Sequence, residues 1–174
     1  MTGGLRLERI TEPDLELLRV LGEFDREAFG ETGLRSFDIG VFCRLGAVYV
    51  AWAGEHPIGS CQLVRTVDEP GMLWVFGISV RPEWRGRGYG TTMLALVLAA
   101  LPTLGAEGLL LTVAPDNAAA LAMYRRAGFV RERFIPDFYG PGEDRWKMRY
   151  GGTGGNATVD SAADASTVGE DGDD

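Results

Sequence analysis

Histidine is nearly missing from this chain, with His56 the single one among 174 residues. It falls in Gly54-Glu-His-Pro57, a run of hairpin-turn composition, and is expected at the surface. A Ser–His–Asp arrangement and a histidine-rich metal site are therefore unsupported, and no metal is expected. Cysteine is almost as scarce. Cys43 and Cys61 lie far apart, form no CxxC pair, and suggest neither a disulfide framework nor a zinc knuckle. They are expected to be buried free thiols. Lys147 is the only lysine among 17 basic side chains, and no basic face is evident. A general nucleic-acid binder would need one, so no nucleic-acid partner is expected. Long apolar runs are also absent. The stretch from Met93 to Leu101 falls well short of the ~18 residues a membrane span needs. A basic segment followed by an apolar core, the mark of a signal peptide, is missing too. The expectation is a cytoplasmic protein without a membrane partner.

What is present suits one soluble domain: 45% hydrophobic and 24% charged residues. The net charge of −8 is unevenly placed. Asp160, Asp164, Glu170, Asp171, Asp173 and Asp174 supply six of those negative charges, and residues 151–174 hold no Lys or Arg. Residues 1–150 thus carry only −2. The terminal segment is rich in Gly, Ser, Thr, Ala and Asp without periodicity. It is expected to be a disordered acidic tail behind a folded domain of residues 1–150.

Within the domain, Leu5 to Ile10 alternates as a strand does. Thr11 is the expected N-cap of a helix running from Leu15 to Phe29, with Gly30 as its stop. A short helix is expected after a Ser36 cap, ending near Gly46. Ala47–Ala53 and Ile58–Thr66 read as strands flanking the hairpin turn. Met72–Val80 is a continuous apolar run, suited to a strand buried on both faces. A helix from about Tyr89 to Leu101 follows, then a buried strand at Gly108–Val113 and a helix at Ala118–Arg126 that Gly128 stops. Phe129–Ile135 and Asp144–Tyr150 are the last strands. The order β-α-α-β-β-β-α-β-α-β-β implies an α/β fold with a mixed sheet.

The chemistry concentrates in Met72–Gly90, MLWVFGISVRPEWRGRGYG. A strand ends at Val80, and Arg85-Gly-Arg-Gly-Tyr-Gly90 leads into a helix. Glycines let backbone N–H groups line a tight turn. A helix N-terminus adds orphan donors and partial positive charge. Arg85 and Arg87 can add charge-assisted bonds to phosphate oxygens. A P-loop would require GK[ST], and a dinucleotide fingerprint GxGxxG. The spacing here is GxGxG, so both fail. By itself the loop is either a pyrophosphate cradle or a plain glycine-rich turn.

Arg85, Gly88 and Gly90 resemble motif A, [RQ]xxGxG[AG], of the GNAT superfamily of acyl-CoA N-acyltransferases. Downstream, Asn117, the Ala-rich helix, Tyr124 and Gly128-Phe129 resemble that family's second signature at the usual spacing. The resemblance spans Leu5 to Tyr150. It implies a GNAT-like fold: a central mixed sheet, flanked by helices, in which Met72–Val80 and Gly108–Val113 run parallel and splay apart. It implies acetyl-CoA as cofactor. Pantetheine would lie along Ile78, Ser79 and Val80, with Asn117 also touching it. The pyrophosphate would sit on Arg85, Gly86, Arg87, Gly88, Tyr89, Gly90 and Thr91.

The implied activity is transfer of acetyl from acetyl-CoA to an amine. Tyr124 would be the general acid to the thiolate, and a backbone N–H near Ile78 would serve the oxyanion. No carboxylate stands on the splayed strands, which offer Phe76, Gly77 and Thr112. The base would be an ordered water or an acid such as Glu27, Glu31 or Glu143. The region Phe138-Tyr139 to Glu143-Asp144 resembles the YYxxxxED region of protein N-terminal acetyltransferases. That favours a peptide or protein amine slightly, with small amines still open. A catalytically weak acyl-CoA sensor is the alternative. Either a monomer or a homodimer is compatible with the sequence.

Overall fold

The computed structural model describes residues 4–151. Its elements follow the expected order: β1 (Leu5–Ile10), α1 (Leu15–Phe29), α2 (Ser36–Leu45), β2 (Ala47–Ala53), β3 (His56–Arg65), β4 (Met72–Val80), α3 (Tyr89–Ala100), β5 (Gly108–Val113), α4 (Ala118–Arg126), β6 (Val130–Ile135) and β7 (Arg145–Gly151). Short 3₁₀ turns stand at Gly30–Thr32, Pro82–Trp84 and Leu101–Leu104. Gly151, expected to open the tail, is the last residue of β7. The expected acidic tail otherwise lies outside the described residues. No helix among the described residues is long and apolar enough to cross a membrane.

The strands form one sheet in the order β1-β2-β3-β4-β5-β7-β6. Every neighbouring pair is antiparallel except β4–β5, which is parallel. Strand alternation assigns the two faces. Val48 and Val50 pack with Leu21 and Phe24 of α1 and Ile39 and Cys43 of α2. Ala47, Tyr49, Leu63, Leu73, Leu109 and Leu111 pack on the other face with Leu94 and Val97 of α3 and Leu121 and Tyr124 of α4. Each fully buried leucine contributes on the order of 1.5–3 kcal/mol. The sheet is thus a wall between two helical layers.

Three local expectations are corrected. The cap of α1 is Asp14, whose Oδ1 accepts from Leu17 N–H at 2.7 Å. Thr11 fails as the cap because Glu12 precedes Pro13, and a residue before proline is steered away from helical dihedrals. Arg35 holds the cap position of α2, its N–H donating to Asp38 Oδ2 at 3.0 Å, and Ser36 is already helical. His56 is exposed, but it opens β3 and pairs with Ala53. The hairpin turn needs only Gly54 and Glu55, and Gly54 takes φ 60°.

Candidate active site

β4 and β5 stay together for three rungs only: Met72 with Gly108, Leu73 with Leu109, Trp74 with Leu110. Beyond Trp74, β4 continues to pair with β3 as far as Val80, and β5 with β7 as far as Val113. The edge of β4 that faces β5 is therefore open past this point. The cause is visible in the register. Val75 pairs with Leu63 and Gly77 with Gln62, so Phe76 is an extra residue, a bulge. Bulges bend the strand and re-aim side chains. Phe76 is 48% exposed, so β4 is not buried on both faces as its apolar run suggests. Ile78, Ser79 and Val80 lie on the open stretch.

At the end of β4 the chain turns through the 3₁₀ segment and into α3. Gly86 (φ 74°) and Gly88 (φ 81°) take left-handed dihedrals that side chains with a Cβ resist. Gly90 does not. It lies in the first turn of α3, and an added Cβ would meet Met123 Sδ only at 3.5 Å. Gly88 is the N-cap and has no side chain to satisfy the helix's first N–H groups. Those amides, at Tyr89, Gly90 and Thr91, stay available for an anion, backed by about half a unit of positive dipole charge. Arg85 Nε donates to Val80 O at 2.8 Å, tying the loop to the strand end. The Arg87 guanidinium lies 5.3 Å over the Trp84 ring, which is 5.9 Å from the Tyr89 ring and tilted against it. Both arginines are exposed at the mouth of the loop. An uncapped helix N-terminus, flanked by arginines and continuous with an open strand edge, fits a pyrophosphate joined to an extended amide-bearing arm.

On the α3/α4 side of the sheet, Tyr124 is 7% exposed, with its ring 5.5 Å from that of Phe129. Burial, and secondarily Cys61, push the phenol's pKa up, so it keeps its proton at neutral pH. Cys61 is buried, and burial together with the Asp25 charge pushes its thiol up to about 12. Cys43 is buried as well, and burial raises its thiol. Neither is a ready nucleophile. Asn117 caps α4, its Oδ1 accepting from Ala120 N–H at 3.1 Å, which leaves its amide nitrogen for other partners.

The candidate acids sit at the surface. Glu27 lies 3.4 Å from Arg81. Glu143 lies 2.8 Å from Arg145, whose guanidinium also covers the Tyr139 ring. Glu31 is exposed on the turn after α1. Asp144 is structural. Its Oδ1 accepts from Asp137 N–H, and Asp137 Oδ1 accepts from Gly142 N–H, so the pair pins the loop carrying Phe138 and Tyr139.

Two features are not evident from the sequence alone. Asp25, on α1, is 1% exposed and accepts from Gln62 Nε2 and Leu34 N–H, both at 3.1 Å. Burial raises its carboxyl pKa against those two hydrogen bonds. Its place four residues after Leu21, on the apolar stripe of α1, is the signal that could have found it. The second is a quartet: Lys147 and Arg149 of β7 with Glu69 and Glu132, at 2.5 to 3.2 Å. Lys147 pairs across the sheet with Thr112, so the β5 position that lacks a carboxylate has a cation as its neighbour.

Two parallel strands that part after Trp74, an uncapped helix N-terminus at the end of β4 and a buried Tyr124 on the α3/α4 side are the features to set beside known proteins. The sequence profile described as the acetyltransferase (GNAT) family matches residues 15–129, and the chain belongs to that family. A mycothiol acetyltransferase of Mycobacteroides abscessus is 45% identical over 65 residues, covering 37% of this chain and 22% of the relative. An L-2,4-diaminobutyric acid acetyltransferase of Nocardia farcinica is 35% identical over 79 residues, 45% of this chain and 41% of the relative. In both, the match spans less than half of the relative's length. Among solved structures, a Bacillus subtilis acetyltransferase in complex with CoA superposes with TM-score 0.70 at 19% identity, covering 86% of this chain and all of the other. The Escherichia coli ribosomal-protein-S18-alanine N-acetyltransferase gives TM-score 0.70 at 17% identity, covering 90% and 99%. These identities speak for the fold.

Proposed function

We propose that the protein transfers an acetyl group from acetyl-CoA to a primary amine by direct attack. The observation that carries this reading is the parting of β4 and β5 after Trp74, which leaves an open β4 edge whose far end leads into the uncapped N-terminus of α3. Acetyl-CoA supplies an activated acyl group and a thiol leaving group. Arg85 to Thr91 would hold its pyrophosphate, and the open edge at Ile78, Ser79 and Val80, with Asn117, its pantetheine arm, in the manner of an added strand. A backbone N–H near Ile78 would stabilise negative charge developing on the acyl oxygen. Tyr124 holds the proton needed at the departing sulfur. The proton lost by the amine goes to water or to one of Glu27, Glu31 and Glu143. Direct attack fits the two cysteines, which are buried with raised thiol pKa values.

The acceptor is either a peptide or protein N-terminus or a small amine. The loop with Tyr139 and Glu143 supports the first, and the relatives named for mycothiol and diaminobutyric acid acetylation support the second. A catalytically weak acyl-CoA sensor is favoured by one observation: Phe76, Gly77 and Thr112 put no carboxylate on the parted strands. A thiol-release screen with acetyl-CoA over peptides and small amines separates the two. Release that depends on an added amine supports transfer. Tight acetyl-CoA binding with no release above background across the panel supports the sensor.

A further inference from the structure

The face of the sheet opposite Tyr124 carries an aromatic surface. Leu73 and Val75 point to the α3/α4 layer, so Trp74 lies on the α1/α2 face. The bulge puts Phe76 there too, with its ring 5.0 Å from that of Phe42 on α2 and edge-on to it. Trp74 stacks with Phe138 of the β6–β7 loop at 6.5 Å, and Phe138 meets Tyr139 at 4.6 Å. The Phe29 ring, at the end of α1, covers Gly77. Four of these rings are substantially exposed: Phe29 42%, Phe76 48%, Phe138 36% and Tyr139 61%. They come from separate segments, yet they gather where the strands part: Trp74 holds the last rung, and Phe76 stands two residues beyond it.

Two further observations say what suits this surface. The first is charge. Glu27, Glu143, Glu69 and Glu132 are each paired with an arginine or lysine. Glu31, and Asp137 and Asp144 of the β6–β7 loop, have no ion pair among the described residues, the two aspartates accepting only from backbone N–H groups. The rim therefore has carboxylates to meet an ammonium group, and the aromatic floor is what would distinguish one amine from another. The second is an orphan atom. Gln62 is fully buried, and its Oε1 has no hydrogen-bond partner. That oxygen lies against Gly77, where an added Cβ would sit 2.7 Å away, and it is an acceptor suited to an N–H donor. Exposed apolar clusters of this kind mark binding surfaces, and their continuity with the open strand identifies the acceptor side.

Building on the transfer reading, we infer that the acceptor is a primary amine carried on an aromatic or branched apolar group, held by Phe76, Trp74 and Phe138. The probes are phenethylamine, ethylamine and spermidine, assayed by thiol release from acetyl-CoA and by calorimetric binding to the CoA-saturated protein. Phenethylamine is expected to exceed both others about tenfold or more in kcat/KM and in affinity, from aromatic contacts and ring burial that ethylamine and spermidine cannot make. Phe76→Ala should raise the KM for phenethylamine about tenfold, well beyond any change it makes for ethylamine, and Phe76→Leu should restore part of the loss. Preferred binding of phenethylamine without thiol release upholds this inference and defeats the transfer reading. Equal or faster release with spermidine upholds transfer and overturns the inference. Equal binding of all three amines overturns it as well.

Discussion

Replacing Tyr124 with Phe removes one oxygen from a nearly closed environment. The ring is 7% exposed and rests against Phe129 at 5.5 Å, so the substitution preserves the packing. Loss of a single hydroxyl should change stability by no more than about 1 kcal/mol. The kinetic effect should be larger, but bounded. Burial raises the phenol's pKa, so it is protonated throughout the working range but is also a weaker acid than tyrosine in water. The thiol it serves has an ordinary pKa of about 8.5, and thiolate departs tolerably without help. The expected loss is therefore near the low end of the general-acid range, about 10²-fold in kcat, or roughly 2.7 kcal/mol of barrier. In the proposed role the hydroxyl would act only as the sulfur leaves, so acetyl-CoA affinity should stay within about twofold. The assay is thiol release at saturating acetyl-CoA and amine, beside a melting curve and calorimetry. An unchanged kcat, with chemistry shown to be rate-limiting, would leave Tyr124 as a core residue and remove the general acid from the mechanism.

Gly88→Val should weaken acetyl-CoA binding at least tenfold by calorimetry, because a β-branched residue resists φ 81° at a cap that must also leave its amides clear. Gly90→Ala should weaken it much less than Gly88→Val, since the helical dihedrals and a 3.5 Å nearest contact tolerate a methyl group. The hydrogen bond from Arg149, with Lys147 adding to it, holds the Glu69 carboxyl below its usual range. Its contribution is present above the unfolded value of about 4.3 and is lost as pH falls through the lower folded value, so Glu69→Gln should flatten the acid limb of a Tm-against-pH curve. Asp25 has the opposite sign: its raised carboxyl costs stability as pH rises from the unfolded value through the folded one. Asp25→Asn should therefore gain Tm relative to the parent as pH rises above about 4, because Asn still accepts from Leu34 N–H and a flipped Gln62 amide would give Oε1 a donor.

The element order and most boundaries were legible because glycine and proline punctuate the chain. Gly30, at φ 62°, ends α1 as expected, and Pro82 opens the turn out of β4. The parting of β4 and β5 was legible only through resemblance. An apolar run such as MLWVFGISV carries no mark of where a neighbour leaves it. The bulge at Phe76 was hidden for a related reason: alternation cannot show an extra residue when both faces are apolar. Asp25 was lost among the charged residues of α1 although it stands on the buried stripe. The Glu69–Glu132–Lys147–Arg149 quartet joins β6, β7 and the loop before β4, and only tertiary pairing of distant segments reveals it. Of the residues expected to act as base, Glu27 and Glu143 are tied to arginines at the surface.

Direct transfer is tested most sharply by initial rates with acetyl-CoA and phenethylamine varied against each other, with the products weighed by mass spectrometry. Direct attack requires both reactants on the protein together, so the double-reciprocal lines should intersect. Acetylated amine and free CoA should appear in equal amounts, with no acetylated protein trapped when the amine is withheld. Parallel lines, together with an acetylated Cys43 or Cys61, would mean a covalent relay. They would contradict both the mechanism and the reading of those buried thiols as inert.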